Sequence, residues 1–216
     1  MIKEYYGLSG EKITEQEALE HTEFMIRWSE HLSDLPFKEE EHIINGKPDF
    51  IQYFIAHDES EAEVFDHLSR KSEQFQIKKR IMAEDFVVDV NKDYSLTNGN
   101  GALISKTVYT TDDPNDNYIC IHVLDAQTRL PIPFRTRKYC YKTSRNGERY
   151  EAIEFLYDEN GLLREAIEMP YNSDEQDWNY YDRDHFQLLQ DKNSTDLSYY
   201  KNSDLLPGYL LHLLEE

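Results

Sequence analysis

From Gln74 onward, apolar and polar residues alternate with a period of two, and this feature restricts most strongly how the chain can fold. Segments of this kind follow one another from FQIKKRIM to LLREAIEM. Turn-forming stretches such as TNGNG, SRNGE and DENG separate several of them. Because successive side chains of a strand face opposite sides of a sheet, the series predicts antiparallel strands joined by short connections. We expect the last three, beginning at KYCYKT, to form a β-meander.

The residues before this series predict a first helix near the amino terminus. Thr14 and Glu17 match a capping box, in which a hydroxyl and a carboxylate satisfy backbone amides at a helix start. An apolar stripe then follows at helical spacing, formed by His21, Met25, Trp28 and Leu32. We therefore expect a helix that runs from Thr14 toward Pro36.

A second helix and a strand pair are predicted next. Asn45-Gly46 is a hairpin turn signal between HII and FIQYFIA, which predicts two strands. Ser60 and Glu63 repeat the capping-box spacing and predict a helix through about Arg70. Near the carboxyl terminus, Pro207 suits the first turn of a short helix whose apolar side carries Leu206, Leu210, Leu213 and Leu214.

These patterns together predict an α+β fold, mainly an antiparallel, meander-rich β-sheet with two N-terminal helices and a short C-terminal helix. A chain of 216 residues is long enough to bury one substantial core. We therefore expect a single domain over residues 1–216.

Charge is the most informative bulk property of the chain. Its 23 basic and 43 acidic residues give a net charge of −20, which repels nucleic acid and anionic membranes and favours a cationic partner. Acidity of this kind also serves solubility alone, and that interpretation stays open. The sequence has no long apolar run and no secretory leader at its start, so we expect a cytoplasmic protein.

Cys120 and His122 lie two positions apart in the segment YICIHVL, so they share one face of a predicted strand. We expect Ile119, Ile121 and Val123 to face the core and the cysteine–histidine face to be the more polar one. A nucleophile and its base seldom come from one strand, so Cys120 and His122 are only an alternative catalytic pair.

The second cysteine, Cys140, shares its strand face with Lys138 and Lys142, whereas Tyr139 and Tyr141 are the expected packing face. We expect both thiols to be simple buried or half-buried groups. No cysteine–histidine set, calcium loop, phosphate loop or zinc-protease motif is present in the sequence, so neither a metal nor a cofactor is predicted.

The strongest binding signal is the segment DEQDWNYYDRDHF, which combines acidic residues with large aromatic ones. Tyr and Trp are enriched at interface hot spots, and carboxylates steer a basic partner toward them. The predicted partner-binding residues here are Asp174, Glu175, Asp177, Trp178, Tyr180, Tyr181, Asp182 and Asp184. A second acidic set, Glu59, Glu63 and Asp66, is predicted on the second helix. The alternative is that the aromatic residues enter the core.

The leading hypothesis is an acidic binding protein, a stoichiometric inhibitor of a basic protein such as an immunity protein that masks a toxin. Two alternatives stay open. One is an enzyme without a recognisable motif that uses Cys120 and His122 or a carboxylate pair. The other is a structural or regulatory module whose charge serves solubility.

Overall fold

The computed structural model of the chain describes residues 1–30, 35–98, 102–171, 177–207 and 210, and omits the side chains of residues 115 and 116. In the amino-terminal half the elements are β1 (Ile2–Tyr6), β2 (Lys12–Ile13), α1 (Glu15–Glu20), β3 (Glu23–Ser29), β4 (Glu39–Ile44), β5 (Lys47–Phe54), α2 (Glu61–Ser69), β6 (Gln74–Ala83) and β7 (Phe86–Ser95). They continue with β8 (Leu103–Thr110), β9 (Asp113–Leu124), β10 (Arg137–Thr143), β11 (Arg149–Tyr157), β12 (Leu163–Glu168), β13 (Asn179–Asp182) and α3 (Phe186–Lys192).

Hydrogen bonds order the 13 described strands as β13-β12-β11-β10-β9-β8-β7-β6-β5-β4-β3-β1-β2 in a large mixed sheet. The chain divides into two compact units. The first comprises Met1–Ile81 and Asp89–Ile104, and the second comprises Met82–Val88 and Ser105–Glu216. Each unit has its own core.

The first unit contains a parallel strand pair. β5 and β6 run parallel, with Ile51 opposite Phe75. Parallel neighbours need a crossover connection, and α2 supplies it. Val64 and Leu68 on the inner side of α2 are buried against Ile51 and Phe75. The prediction of a helix between Ser60 and Arg70 is confirmed, although Ser60 makes no side-chain capping bond.

The prediction of a long first helix is wrong. The Thr14–Glu17 capping box forms, but α1 ends at Glu20 and the chain continues as strand β3. In β3, Met25 pairs with Tyr6 on one side and with His42 on the other. Hydrogen bonding to two neighbouring strands outweighs a helical spacing that only a few side chains define, because isolated short helices are marginally stable. Leu32 lies outside the described residues.

The predicted fold class is therefore also wrong. The described residues form a large mixed sheet with short helices, instead of an α+β fold with two N-terminal helices. The predicted C-terminal helix lies mostly outside the described residues, although Leu206 and Leu210 are described and buried. No helix in the described ranges is long and apolar enough to cross a membrane.

The strands of the second unit follow the sequence pattern. β10, β11 and β12 pair antiparallel, as the meander prediction requires, and β13 adds to β12. Segment 183–201 then folds back across one face of these strands. Phe186, Leu189 and Leu197 of this segment are buried with strand residues that include Phe155. The ring of Tyr200 stacks on Phe155 with centroids 4.3 Å apart.

We predict that Phe155→Ala destabilises the protein by about 3–5 kcal/mol, because the ring is fully buried and its loss leaves a cavity. The matched control is Tyr180→Ala on β13, whose side chain is 59% exposed. That substitution should change the free energy of unfolding by no more than about 0.5 kcal/mol. Urea unfolding followed by circular dichroism measures both, and equal effects would contradict the assignment of the core.

Candidate binding surface

Strands β10 to β13 present two faces with different surroundings. On one face Lys138, Phe155, Ala166 and Tyr181 lie opposite one another from strand to strand. Segment 183–201 covers this face, and Lys138, Phe155 and Ala166 are fully buried. Because side chains alternate, the next residue on each strand lies on the opposite, more open face.

The open face carries a row of side chains that crosses four strands. Tyr139 lies opposite Glu154, Glu154 opposite Ile167, and Ile167 opposite Tyr180. Tyr139, Glu154 and Ile167 are partly exposed, and Tyr180 is exposed. Strands are spaced about 4.8 Å apart, so the row is about 14 Å long.

The register between β10 and β11 shifts by one residue between Cys140 and Tyr141. Tyr141 therefore lies opposite Glu151, and this pair joins the open face. We name the set Tyr139, Tyr141, Glu151, Glu154 and Tyr180 the Tyr–Glu face. Its members come from three non-adjacent parts of the sequence. Pairing in the sheet is what brings them together.

Glu151 is the least satisfied charge on the Tyr–Glu face. It is partly buried, and within the described part of the chain no hydrogen bond or ion pair reaches its carboxylate. Burial and the neighbouring Glu154 raise its pKa. Glu154 itself pairs with Arg137, with Oε1 and Nη1 3.3 Å apart. A cation placed beside Glu151 would offset the cost of its desolvation.

Two tyrosines of this face already make contacts of the kind that a basic partner would offer: Tyr141 contacts a cation and Tyr139 contacts a ring. The guanidinium carbon of Arg149 lies 5.2 Å from the ring centroid of Tyr141. The rings of Tyr118 and Tyr139 meet edge to face, with centroids 5.2 Å apart. Aromatic faces attract Lys and Arg side chains through their quadrupole, so these rings suit contact with a basic surface.

The structure separates the residues of the predicted binding segment. Asp174 and Glu175 lie outside the described residues. Asp177 and Asp184 are exposed, and Trp178 is partly exposed. Of the tyrosines, Tyr180 joins the Tyr–Glu face, whereas Tyr181 lies on the covered face and packs against the core. The hydroxyl of Tyr181 donates to Glu168 at 3.3 Å.

Asp182 has a local structural role. Its Oδ1 accepts a hydrogen bond from the backbone amide of His185 at 3.0 Å and lies 2.7 Å from Nδ1 of the same residue. These contacts cap the turn of 3-10 helix that precedes α3. The carboxylate is therefore engaged, although its residue remains exposed.

The second predicted acidic set belongs to the first unit, and its members differ. Glu63 and Asp66 are exposed on α2. Glu59 precedes the helix and pairs with Lys38 at 2.5 Å. Its carboxylate also accepts hydrogen bonds from the Tyr53 hydroxyl at 2.7 Å and the Ala56 amide at 2.6 Å. Glu59 thus satisfies its charge within the unit, next to a cavity of about 360 Å³.

The expected orientation of the Cys120–His122 strand is wrong. Cys120, His122 and Leu124 are buried, whereas of the three residues expected in the core Ile119 is buried and Ile121 and Val123 are only partly buried. The expectation that both cysteines are buried or half-buried thiols is confirmed. Burial raises the pKa of the Cys120 thiol to about 12 and lowers the pKa of His122 to about 4. A neutral thiol beside a weakly basic imidazole is the opposite of what a thiolate nucleophile and its base require.

The neighbouring strand shows the same reversal. Lys138 lies opposite Cys120 and is fully buried, while Tyr139 and Tyr141, the expected packing residues, are on the open face. The Lys138 ammonium donates to the Tyr199 carbonyl at 2.7 Å and lies 3.5 Å from the Tyr199 ring centroid. Burial lowers the pKa of Lys138 to about 8. These contacts explain how the sheet accommodates a lysine in its core.

The described residues contain no group of three or more histidine, cysteine or acidic side chains that could hold a metal ion. Sequence reasoning missed Tyr139, Tyr141, Glu151 and Glu154 as binding candidates. The alternation in RYEAIEFL separates Glu154 from Ile153 and Phe155, and this was the available signal. Glu151 has the same parity as Ile153 and Phe155, and it reaches the open face only because the register shifts beside it. That alternation could not show which face the rest of the chain covers.

We predict that Glu151→Gln stabilises the protein at neutral pH by about 0.5 kcal/mol, after allowance for solvent screening. Folding raises the pKa of this carboxyl group, so the wild-type protein loses stability as pH rises through that pKa. The difference from wild type should therefore shrink as pH falls toward about 4. Thermal unfolding between pH 4 and 7 tests this, with the exposed Glu20→Gln as control. A constant difference would contradict it.

Lys138→Met should change how stability depends on alkaline pH. Folded Lys138, with its pKa near 8, releases its proton below the pH at which the unfolded chain does, at about 10.4. The unfolded state then holds more protons, so the wild type gains stability relative to the variant between pH 8 and 10, by about 1–3 kcal/mol. Urea unfolding across this range measures the gain. Parallel curves for the two proteins would refute it.

Comparison of the chain with protein-family models, with curated proteins and with solved structures finds no match to any of them. A function must therefore be inferred from this chain's own chemistry. The feature that points most directly to a partner is a partly buried carboxylate, Glu151, set among tyrosines on an open sheet face.

Proposed function

We propose that the chain is an acidic binding protein that docks a basic protein on the Tyr–Glu face. In this proposal it acts as a stoichiometric inhibitor of the toxin–immunity type. The observation that carries the proposal is Glu151, whose partly buried carboxylate has no counter-ion among the described side chains. A lysine or arginine of the partner would supply that counter-ion and pack on the adjacent tyrosine rings.

The net charge supports a basic partner over other classes. At −20, the chain attracts cationic proteins over long distances and repels nucleic acid and anionic membranes. Attraction of this kind raises the association rate, while rings and buried contacts determine how long the complex lasts. The Tyr–Glu face combines both elements, because it joins carboxylates to tyrosine rings.

The position of this face in the sheet also suits a protein partner. The row from Tyr139 to Tyr180 crosses four paired strands, so its side chains are held on a rigid support. A typical interface buries about 800 Å² on each partner. The exposed Asp177 and Asp184 flank Tyr180 in sequence and would extend the contact at its rim. We place the protein and its partner in the cytoplasm as part of the same proposal.

The decisive experiment compares two charge reversals that change the net charge equally. Glu151→Lys alters the Tyr–Glu face, and Glu20→Lys alters an exposed site on α1 of the first unit. The basic protein retained by the wild type from a low-salt lysate of the native host is identified, purified and titrated against each variant. We expect Glu151→Lys to weaken binding at least about tenfold and Glu20→Lys by less than about threefold.

A second variant guards against a folding effect of Glu151→Lys. Tyr180→Ala removes an exposed ring, and it should weaken binding while leaving the unfolding transition in place. Association should also slow steeply as salt rises from 0.05 to about 0.5 M. Equal affinities of the Glu151→Lys and Glu20→Lys variants, or the absence of any retained basic protein, would overturn the proposal.

A further inference from the structure

The second unit contains a pocket with a charge opposite to that of the chain as a whole. It has a volume of about 470 Å³ and is lined by Lys106 of β8, His122 of β9, Arg129 of the β9–β10 connection and Asp204 near the carboxyl terminus. Small-molecule sites fall in the range of about 300–1,000 Å³. Two cations and one carboxylate thus meet in a cavity of suitable size, within a chain of net charge −20.

Lys106 is the first reason to expect a ligand in this pocket. Its side chain is partly buried, and no ion pair or hydrogen bond to it exists within the described ranges. Burial lowers its pKa, and no carboxylate offsets this effect. Asp204, which lines the same pocket, is not paired with it. A partly buried ammonium group without a counter-ion is incompletely solvated, so an anion bound beside it would offset that cost.

Arg129 is the second reason. Its backbone has φ = +62°, a left-handed conformation that costs a residue with a Cβ about 1 kcal/mol. The turn is held by Asp125, whose Oδ1 accepts hydrogen bonds from the Gln127 amide at 3.1 Å and the Thr128 amide at 2.8 Å. The guanidinium of Arg129 has no partner in the described part of the chain. The turn therefore places a second cation, without a counter-ion among the described residues, at the pocket wall.

His122 and the apolar wall define the rest of the pocket. The Nε2 atom of His122 is hydrogen bonded to the Ser203 carbonyl, so the ring is held in place on one side of the pocket. The remaining wall is largely apolar, and it includes Leu124, Leu130, Pro131, Pro133 and Leu205. A ligand that fills this space needs an apolar body as well as an anionic group.

We propose that this pocket binds a small organic carboxylate, with the carboxylate between Lys106 and Arg129 and an apolar body against the leucine and proline wall. Arg offers a planar pair of donors and Lys a compact charge, and both suit a carboxylate. This site is independent of the Tyr–Glu face, because it uses none of the same residues. The two proposals can therefore fail separately.

The test uses three probes on the full chain: hexanoate, the isosteric neutral hexanamide, and inorganic phosphate. Titration calorimetry should show saturable binding of hexanoate with a Kd of about 1 mM or tighter. Hexanamide should bind at least tenfold more weakly, because it lacks the charge. Phosphate should also bind more weakly than hexanoate, because it lacks the apolar body.

Variants localise the binding. Lys106→Gln should raise the Kd for hexanoate at least tenfold, and Arg129→Gln should raise it several-fold. The control Lys47→Gln removes an exposed lysine of the first unit and should leave the Kd unchanged. Arg129 is exposed, so its variant keeps the test valid if Lys106→Gln fails to fold. Backbone amide NMR shifts on titration should cluster at residues 106, 122–130 and 203–205.

Several outcomes would overturn the proposal. Absence of saturable hexanoate binding would do so directly, and equal binding of hexanamide would remove the role of the two cations. Phosphate binding tighter than hexanoate would remove the role of the apolar wall. Unchanged affinity in both the Lys106→Gln and Arg129→Gln variants, or NMR shifts confined to other residues, would place the ligand elsewhere.

Discussion

Segment 183–201 buries one face of strands β9 to β12, and the rest of the second unit depends on this constraint. Phe155 is fully buried under Tyr200, and Lys138 is fully buried against Tyr199. Since side chains of a strand alternate, covering this face leaves Tyr139 and Glu154 on the other. One packing event thereby creates both the core and the proposed docking surface.

The charged side chains of the second unit differ in whether they have a partner within the protein. Lys138 is deep in the core, yet it has a carbonyl acceptor and a tyrosine ring. Glu151 and Lys106 are only partly buried, yet neither has a partner among the described residues. A charge without a partner in a desolvated place costs free energy, and a ligand of opposite charge recovers it. This contrast separates a structural lysine from two groups suited to binding.

Several features were predictable from local patterns. The β10–β12 meander and the α2 helix were correctly predicted, because alternation and helical periodicity extend over whole segments there. The first helix was wrongly predicted because Phe24 and Ile26, two positions apart, pack in one core as strand residues, and β3 pairs with β1 and β4. The parallel pairing of β5 with β6 leaves no local signal, because it depends on where the α2 crossover returns the chain.

The candidate site shows the same division. The sequence alone determined the net charge of −20, the alternating segments and the aromatic residues that a docking surface needs. Only the tertiary structure decided which face of each strand is covered, and it reversed the expectation for Cys120, His122, Tyr139 and Tyr141. The physical reason is that alternation defines two faces but is symmetric between them. The packing of a distant segment, here residues 183–201, breaks that symmetry.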